Sequence, residues 1–198
     1  GDVTEENEWS GSENKCYAIT KYEAEQEVWR GSQEGLGVVI VNPGVIIGPG
    51  FWESGSGQLF TNIYKGFQFY TLGVTGFVGV NDVAKAMIAL MESNLSLERY
   101  ILVSENLNFK QVFDTIAEAL NVKKPTIKVT KWLSALVWRL DSIKRFLTNK
   151  PALFTKETAM SSQQKTYYSA AKIKNALCFE FEPMEDVFKK TALIFLKK

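Results

Sequence analysis

Four consecutive β-branched residues, Val38-Val39-Ile40-Val41, restrict the folding of this chain more than any other stretch. A continuous apolar run without polar alternation suits a strand covered on both faces, as in a parallel sheet. Gly35 and Gly37 stand before it, and Asn42-Pro43-Gly44 ends it. Upstream, from about Asn14 to Gln33, Tyr17, Lys21, Ala24, Val28 and Gly31 or Ser32 recur at helical steps. Glu23, Glu25, Gln26 and Glu27 among them are good helix formers. A helix that feeds a doubly covered strand is the logic of an α/β fold.

The rest of the chain alternates in the same way. Residues 1–13 form an acidic loop, Ile46 to Gly50 a second turn, and Phe51 to Gly57 a Gly- and Ser-rich loop. Gln58 to Gly66 reads as a helix and Phe77 to Val80 as a strand. Asn81-Asp82 starts a helix to about Glu92, with Asp82 as a cap and Val83, Ala84, Met87, Ile88 and Met91 on its apolar face. A strand follows at Tyr100 to Val103, then a helix capped by Asn108, then a strand within Pro125 to Val129. Lys131 to Leu147 is expected to be an amphipathic helix, with another short one near Thr155 and Thr158. Helices at Lys172 to Leu177 and Met184 to Leu196 close the chain.

Composition removes several chemistries. The chain has no histidine, which excludes Ser-His-Asp hydrolysis and histidine-based metal sites. Cys16 and Cys178 make neither a disulfide framework nor a metal-ligand spacing, so no metal is expected. Lys and Arg number 23 against 22 Asp and Glu, which gives no case for nucleic acid. No apolar run approaches the length of a membrane span, and the start carries no secretory pattern, so a cytoplasmic location is the expectation.

Proton transfer must therefore fall to Tyr, Lys, Asp, Glu or Cys. Tyr17 and Lys21 lie four residues apart on the expected helix, one turn apart on one face. A free tyrosine titrates near about 10, and a neighbouring ammonium favours its phenolate. Such a pair can exchange a proton with a substrate oxygen while a cofactor moves hydride. The spacing recurs at Tyr168 and Lys172. Only Tyr17 is followed by a full helix, a buried strand and Asn42-Pro43-Gly44.

That context resembles a family. Tyr17-Ala18-Ile19-Thr20-Lys21, then Gly37 through Val41-Asn42-Pro43-Gly44-Val45-Ile46-Ile47-Gly48-Pro49-Gly50, is similar to the extended short-chain dehydrogenase/reductases. That family includes nucleotide-sugar epimerases and dehydratases, dihydroflavonol-type reductases and 3β-hydroxysteroid dehydrogenases. Val80-Asn81-Asp82-Val83-Ala84 and Tyr167-Tyr168-Ser169-Ala170-Ala171-Lys172 resemble two later elements of the family, in the right order. The second match makes the Tyr168 pair structural. The resemblance implies that Tyr17 is the general acid/base, and that Lys21 holds the ribose hydroxyls of NAD or NADP and favours the Tyr17 phenolate. It implies that Pro43, Gly44, Val45 and Ile46 line the nicotinamide side. The loop from Phe51 and the helix after it would face a small-molecule substrate.

The expected fold is α/β: an incomplete Rossmann-like, doubly wound parallel sheet lacking its N-terminal half, plus a mostly helical substrate-binding lobe. Residues 1–50 and 80–104 would form the distal cofactor part, and residues 51–79 and 105–198 the lobe. The family's Gly-x-x-Gly-x-x-Gly turn has no match here, and Thr4, Ser10 and Ser12 sit in an acidic loop rather than at a strand end. The chain would then carry the later half of an oxidoreductase, inactive alone and poor at binding a dinucleotide. A carbonyl reductase is the first reading. A nucleotide-sugar epimerase or dehydratase and a non-catalytic cofactor-sensing relative are the alternatives. Arg139 and Arg145 are the only lobe candidates for a diphosphate clamp, and the lobe aromatics are expected to be mostly core. Self-association is expected, as a homodimer through the Tyr17 helix or through an exposed sheet edge.

Overall fold

The structure is a computed structural model that describes residues 2–8, 16–130 and 162–197. The helices expected over 131–147 and near 155–158 fall outside the described residues, as do Ser10, Ser12, Trp132, Trp138, Arg139 and Arg145.

Helix α1 (Cys16–Gln33) leads through Gly35, at φ +98°, into β1 (Val39–Pro43). At Gly44 the chain leaves β1 and continues extended as β2 (Val45–Ile47). The turn expected at Ile46 and Ile47 is therefore corrected to a strand. Pro43-Gly44 marks a step between two sheets rather than an end, and the β-branched Val45-Ile46-Ile47 run stays extended beyond it. Then come α2 (Gly57–Tyr64), β3 (Phe69–Tyr70), β4 (Val74–Gly79) and α3 (Val80–Met91). They are followed by β5 (Glu98–Leu102), β6 (Glu105–Asn108), α4 (Phe109–Ala119) and β7 (Ile127–Lys128). Helices α5 (Ala171–Leu177) and α6 (Met184–Phe195) complete the described chain.

β1 pairs in parallel with β5, β2 in parallel with β4, and β3 in parallel with β7. The short β6, which sequence periodicity did not reveal, pairs antiparallel with β4. Asn108 caps α4 through a full capping box with Gln111, as its residue type predicts.

The step at Gly44 is tight. A Cβ on Gly44 would stand 2.5 Å from the Gly76 carbonyl oxygen, so only glycine lets β1 pass over β4 at this point. Along β4 the side chains alternate between two cores. Phe77 enters one with Ile47, Phe60, Ile63, Ile116 and Phe188, and Val78 enters the other with Val83, Leu90, Tyr100, Leu102 and Ile173. Each such fully buried side chain is worth about 1.5–3 kcal/mol relative to exposure.

Helix α3 packs with a face turned from the expected one, and of the expected core residues only Val83 is buried. Asp82, Val83, Ala86 and Leu90 are buried, while Ala84, Met87, Ile88 and Met91 are exposed. The helix carries two apolar stripes, and periodicity alone cannot say which one meets the sheet; small Ala86 lies on the packed side. Asp82 is not a cap either. Gly79 holds that position, and the Asp82 carboxylate, only 1% exposed, accepts the Glu182 N–H at 2.8 Å. It ties α3 to the segment before α6.

The acidic N-terminus is a strap rather than a free loop. Val3 is bridged to the segment before α5 by Val3 N–H to Tyr167 O (2.7 Å) and Ser169 N–H to Val3 O (2.9 Å). The Glu5 carboxylate accepts the Ile101 N–H of β5 at 2.7 Å.

Candidate active site

Residues alternate along β5 as well. Tyr100 and Leu102 are buried in the second core, while Arg99, Ile101 and, just past the strand, Val103 face the other way. Opposite Ile101 in register lies Asn42 of β1. These residues line a cleft of about 540 Å³ together with Tyr17, Pro43, Gly44, Val45, Thr4, Thr75 and Tyr168. The volume falls in the range of small-molecule sites, and carboxyl ends of strands such as β1 are where open α/β sheets bind ligands.

Of the residues singled out from sequence, Tyr17, Pro43, Gly44 and Val45 come together on this cleft. Tyr17 is 71% exposed, so its phenol can be reached from solvent. Lys21 is not part of the wall; its Nζ stands 5.7 Å from the centre of the Tyr17 ring, as the one-turn spacing dictates. Ile46 points away from the cleft and packs against the second core. Among the aromatics of the following loop and helix, Trp52 and Phe60 are buried edge-to-face, whereas Phe51 is 87% exposed.

The helix that carries Tyr17 is fixed by Glu25, two turns further along the same stripe. Its carboxylate accepts from Asn42 Nδ2 at 3.1 Å, from Arg99 Nη1 at 3.2 Å and from Trp29 Nε1 at 3.3 Å. Arg99 also donates to the backbone oxygens of Glu5 and Asn7. One carboxylate thus joins the Tyr17 helix to both strands of the β1–β5 sheet. Replacing Glu25 by Ala leaves a half-buried guanidinium without its carboxylate, and we expect a loss of about 1–3 kcal/mol in a urea melt. An unchanged midpoint would remove Glu25 from this role.

The second Tyr-x-x-x-Lys spacing comes apart. Lys172 ion-pairs with Glu98 and lies over the Tyr100 ring, 5.1 Å from its centre. Burial, and then the Glu98 carboxylate, push the Tyr100 phenol above its ordinary value. Tyr168 turns the other way and lines the cleft. Sequence reasoning missed Tyr168, Thr4, Thr75 and Arg99 as cleft residues, because each arrives from a distant segment. Glu25 did carry a signal: Tyr17, Lys21 and Glu25 fall at i, i+4 and i+8.

Comparisons with known proteins converge on one group. An NAD-binding family described as male sterility protein matches residues 2–89. A putative dihydroflavonol 4-reductase of Synechocystis is 28% identical over 166 residues, which is 79% of this chain and 48% of that protein. The crystal structure of gox2253 is 26% identical, with a TM-score of 0.80, over all of this chain and 61% of its own. These matches agree with the resemblance to the extended short-chain dehydrogenase/reductases carried by the motifs. A dTDP-glucose 4,6-dehydratase from Bacillus anthracis, solved in complex with NAD, shares the fold at 18% identity and TM-score 0.72, over 100% of this chain and 57% of that one. The α/β arrangement with parallel pairing is thus a partial Rossmann-type fold, as its sequence pattern implies. The chain spans about a third to a half of the length of the short-chain dehydrogenase-like curated relatives it matches. Among the described residues no helix is long and apolar enough to cross a membrane, and no cluster of His, Cys, Asp and Glu could hold a metal ion.

Proposed function

We propose that this chain supplies the acid–base helix and the substrate lobe of an NAD(P)-dependent oxidoreductase that reduces a carbonyl or oxidises an alcohol. The observation that carries this reading is the meeting of Tyr17 with Pro43, Gly44 and Val45 on one cleft, beside Lys21. The site suits the nicotinamide end of the cofactor: Gly44 brings backbone rather than side chain to the wall, and the cleft lies at the carboxyl end of β1. No Gly-rich turn that could cradle a pyrophosphate occurs in this sequence, so that part of the binding falls to sequence outside it. Bound NAD(P)H supplies the hydride. Tyr17 gives its phenolic proton to the substrate oxygen, with the Lys21 ammonium beside its ring. Residues 1–50 and 80–104 form the cofactor part of this scheme, and residues 51–79 and 105–198 the substrate lobe.

A reductase of an uncharged substrate is favoured over a nucleotide-sugar enzyme. Among the described residues Arg99 is the only Lys or Arg that lines the cleft, and its donors already serve Glu5, Asn7 and Glu25. The epimerase or dehydratase alternative draws its support from structural neighbours such as the NAD-bound dehydratase. The test is hydride transfer. The chain, joined to the preceding half of the Synechocystis relative, should oxidise NADH or NADPH in the presence of an aryl ketone. No oxidation with any carbonyl, in a form that binds the cofactor, would sink the reading.

We also propose self-association. β1 pairs only with β5 among the described residues, and Met87, Ile88 and Met91 form an exposed aliphatic stripe on α3. Sedimentation velocity should show species heavier than the 22.3 kDa chain; a single monomer boundary at about 100 μM would refute it.

A further inference from the structure

Tyr168 belongs to a segment without regular structure, yet it is held from several sides. Asn106 of β6 clamps its backbone twice: the Asn106 amide donates to Tyr168 O at 2.9 Å, and its Oδ1 accepts the Tyr168 N–H at 2.9 Å. On either side, Tyr167 and Ser169 are tied to Val3. The ring then lies against β4 at Gly76: a Cβ there would stand 2.6 Å from the Val103 side chain and 3.2 Å from Tyr168 Cδ2. Fixing a backbone at both its donor and its acceptor, with a glycine cleared beneath the ring, pre-orients an aromatic wall, which lowers the entropy cost of binding against it. The wall is one side of the same cleft that Tyr17 lines. Lys172, which the sequence spacing offered as its partner, is engaged elsewhere by Glu98.

We propose that Tyr168 is a second ligand-contacting tyrosine of this site, which receives the flat conjugated carbonyl part of the occupant against its ring and sets affinity rather than transferring a proton. The inference rests on the oxidoreductase reading of the cleft. A flat conjugated carbonyl is carried by the nicotinamide ring and equally by an aryl ketone substrate. Ring-on-ring contact with either is favourable by about 0.5–1.5 kcal/mol beyond area burial.

The experiment is carbon-13 NMR of the chain labelled at tyrosine Cζ, with resonances assigned by Tyr17→Phe and Tyr168→Phe. Two probes are titrated separately to about 20 mM, a range suited to fragments of about −3 to −4 kcal/mol: reduced nicotinamide mononucleotide and acetophenone. The Tyr168 and Tyr17 resonances should move together along one binding curve, and the effective probe identifies the source of the flat group. Tyr168→Ala should weaken that probe at least 5-fold and Tyr168→Phe less than 2-fold, while the buried Tyr100 resonance reports an intact fold. Movement of Tyr17 with Tyr168 unmoved by either probe would overturn the proposal and leave the cleft reading standing. If neither tyrosine moves, the proposal falls together with the reading of this cleft as the reaction site. Equal affinities for the Ala variant and the parent would also overturn it.

Discussion

Tyr17→Phe, in the chain joined to a dinucleotide-binding half, should lower turnover by about 10²–10⁴-fold, the usual contribution of a positioned proton donor. It should leave cofactor affinity within about 2-fold, because the phenolic proton goes to the substrate oxygen rather than to the cofactor. The substitution removes one oxygen from a side chain that is 71% exposed, so stability should stay within about 0.5 kcal/mol. The absence of histidine from this chain makes the expectation sharper, since none of its own residues offers an imidazole to take over the role. Turnover at the parental rate, with the melt unchanged, would remove Tyr17 from the chemistry. The Lys172 of the second spacing serves as a control. Its ion pair with Glu98 is partly exposed, and Lys172→Met should change turnover by less than about 3-fold.

The largest expected structural effect comes from a single methyl group. Gly44→Ala places a carbon 2.5 Å from the Gly76 carbonyl oxygen and 2.8 Å from its carbonyl carbon, and both are backbone atoms that cannot rotate away. Either β1 or β4 must shift. Overpacking of this kind costs about 3 kcal/mol, which lowers the melting temperature by roughly 6–12 °C in a chain of this size. Gly37→Ala is the matched control: a Cβ there meets nothing within 4 Å. It should be neutral or stabilise by about 0.4–1 kcal/mol through the unfolded chain. Equal melts for the two variants would show that the crossing at Gly44 yields without cost.

These two positions also mark where the sequence was legible. Val38 to Val41 announced a strand, and α1 before it and β1 at Val39–Pro43 lie where the pattern placed them, but Val39, Ile40 and Val41 are half-buried rather than covered on both faces. Asn108 announced its helix because a capping box is local chemistry. The failures share a cause: each depends on what a residue meets rather than on what precedes it. Ile46 and Ile47 read as part of a turn because Pro43-Gly44 before them and Gly48-Pro49-Gly50 after them are turn-forming residues. Met87, Ile88 and Met91 read as core beside Val83 because their spacing is helical, but the sheet kept Val83 and took Ala86 and Leu90 in their place. Tyr168 passed as a structural residue because the resemblance placed its segment in a later element of the family, away from the chemistry. Of the site, the local pair Tyr17 and Lys21 and the strand end Pro43-Gly44-Val45 could be read in advance. The walls supplied by residues 3–7, 75, 99–103 and 168 could not, because they converge only through tertiary contacts.

The Glu5 carboxylate on the Ile101 N–H sets the stoichiometry of anything that pairs with this sheet. It stands where the next strand beyond β5 would place a carbonyl, so growth from that side is blocked. Among the described residues β1 is then the edge of this sheet left for lateral addition. A sheet open on one side and stoppered on the other cannot propagate into a fibre. Pairing through β1 would therefore be limited to one partner strand, whether from a second copy or from other sequence.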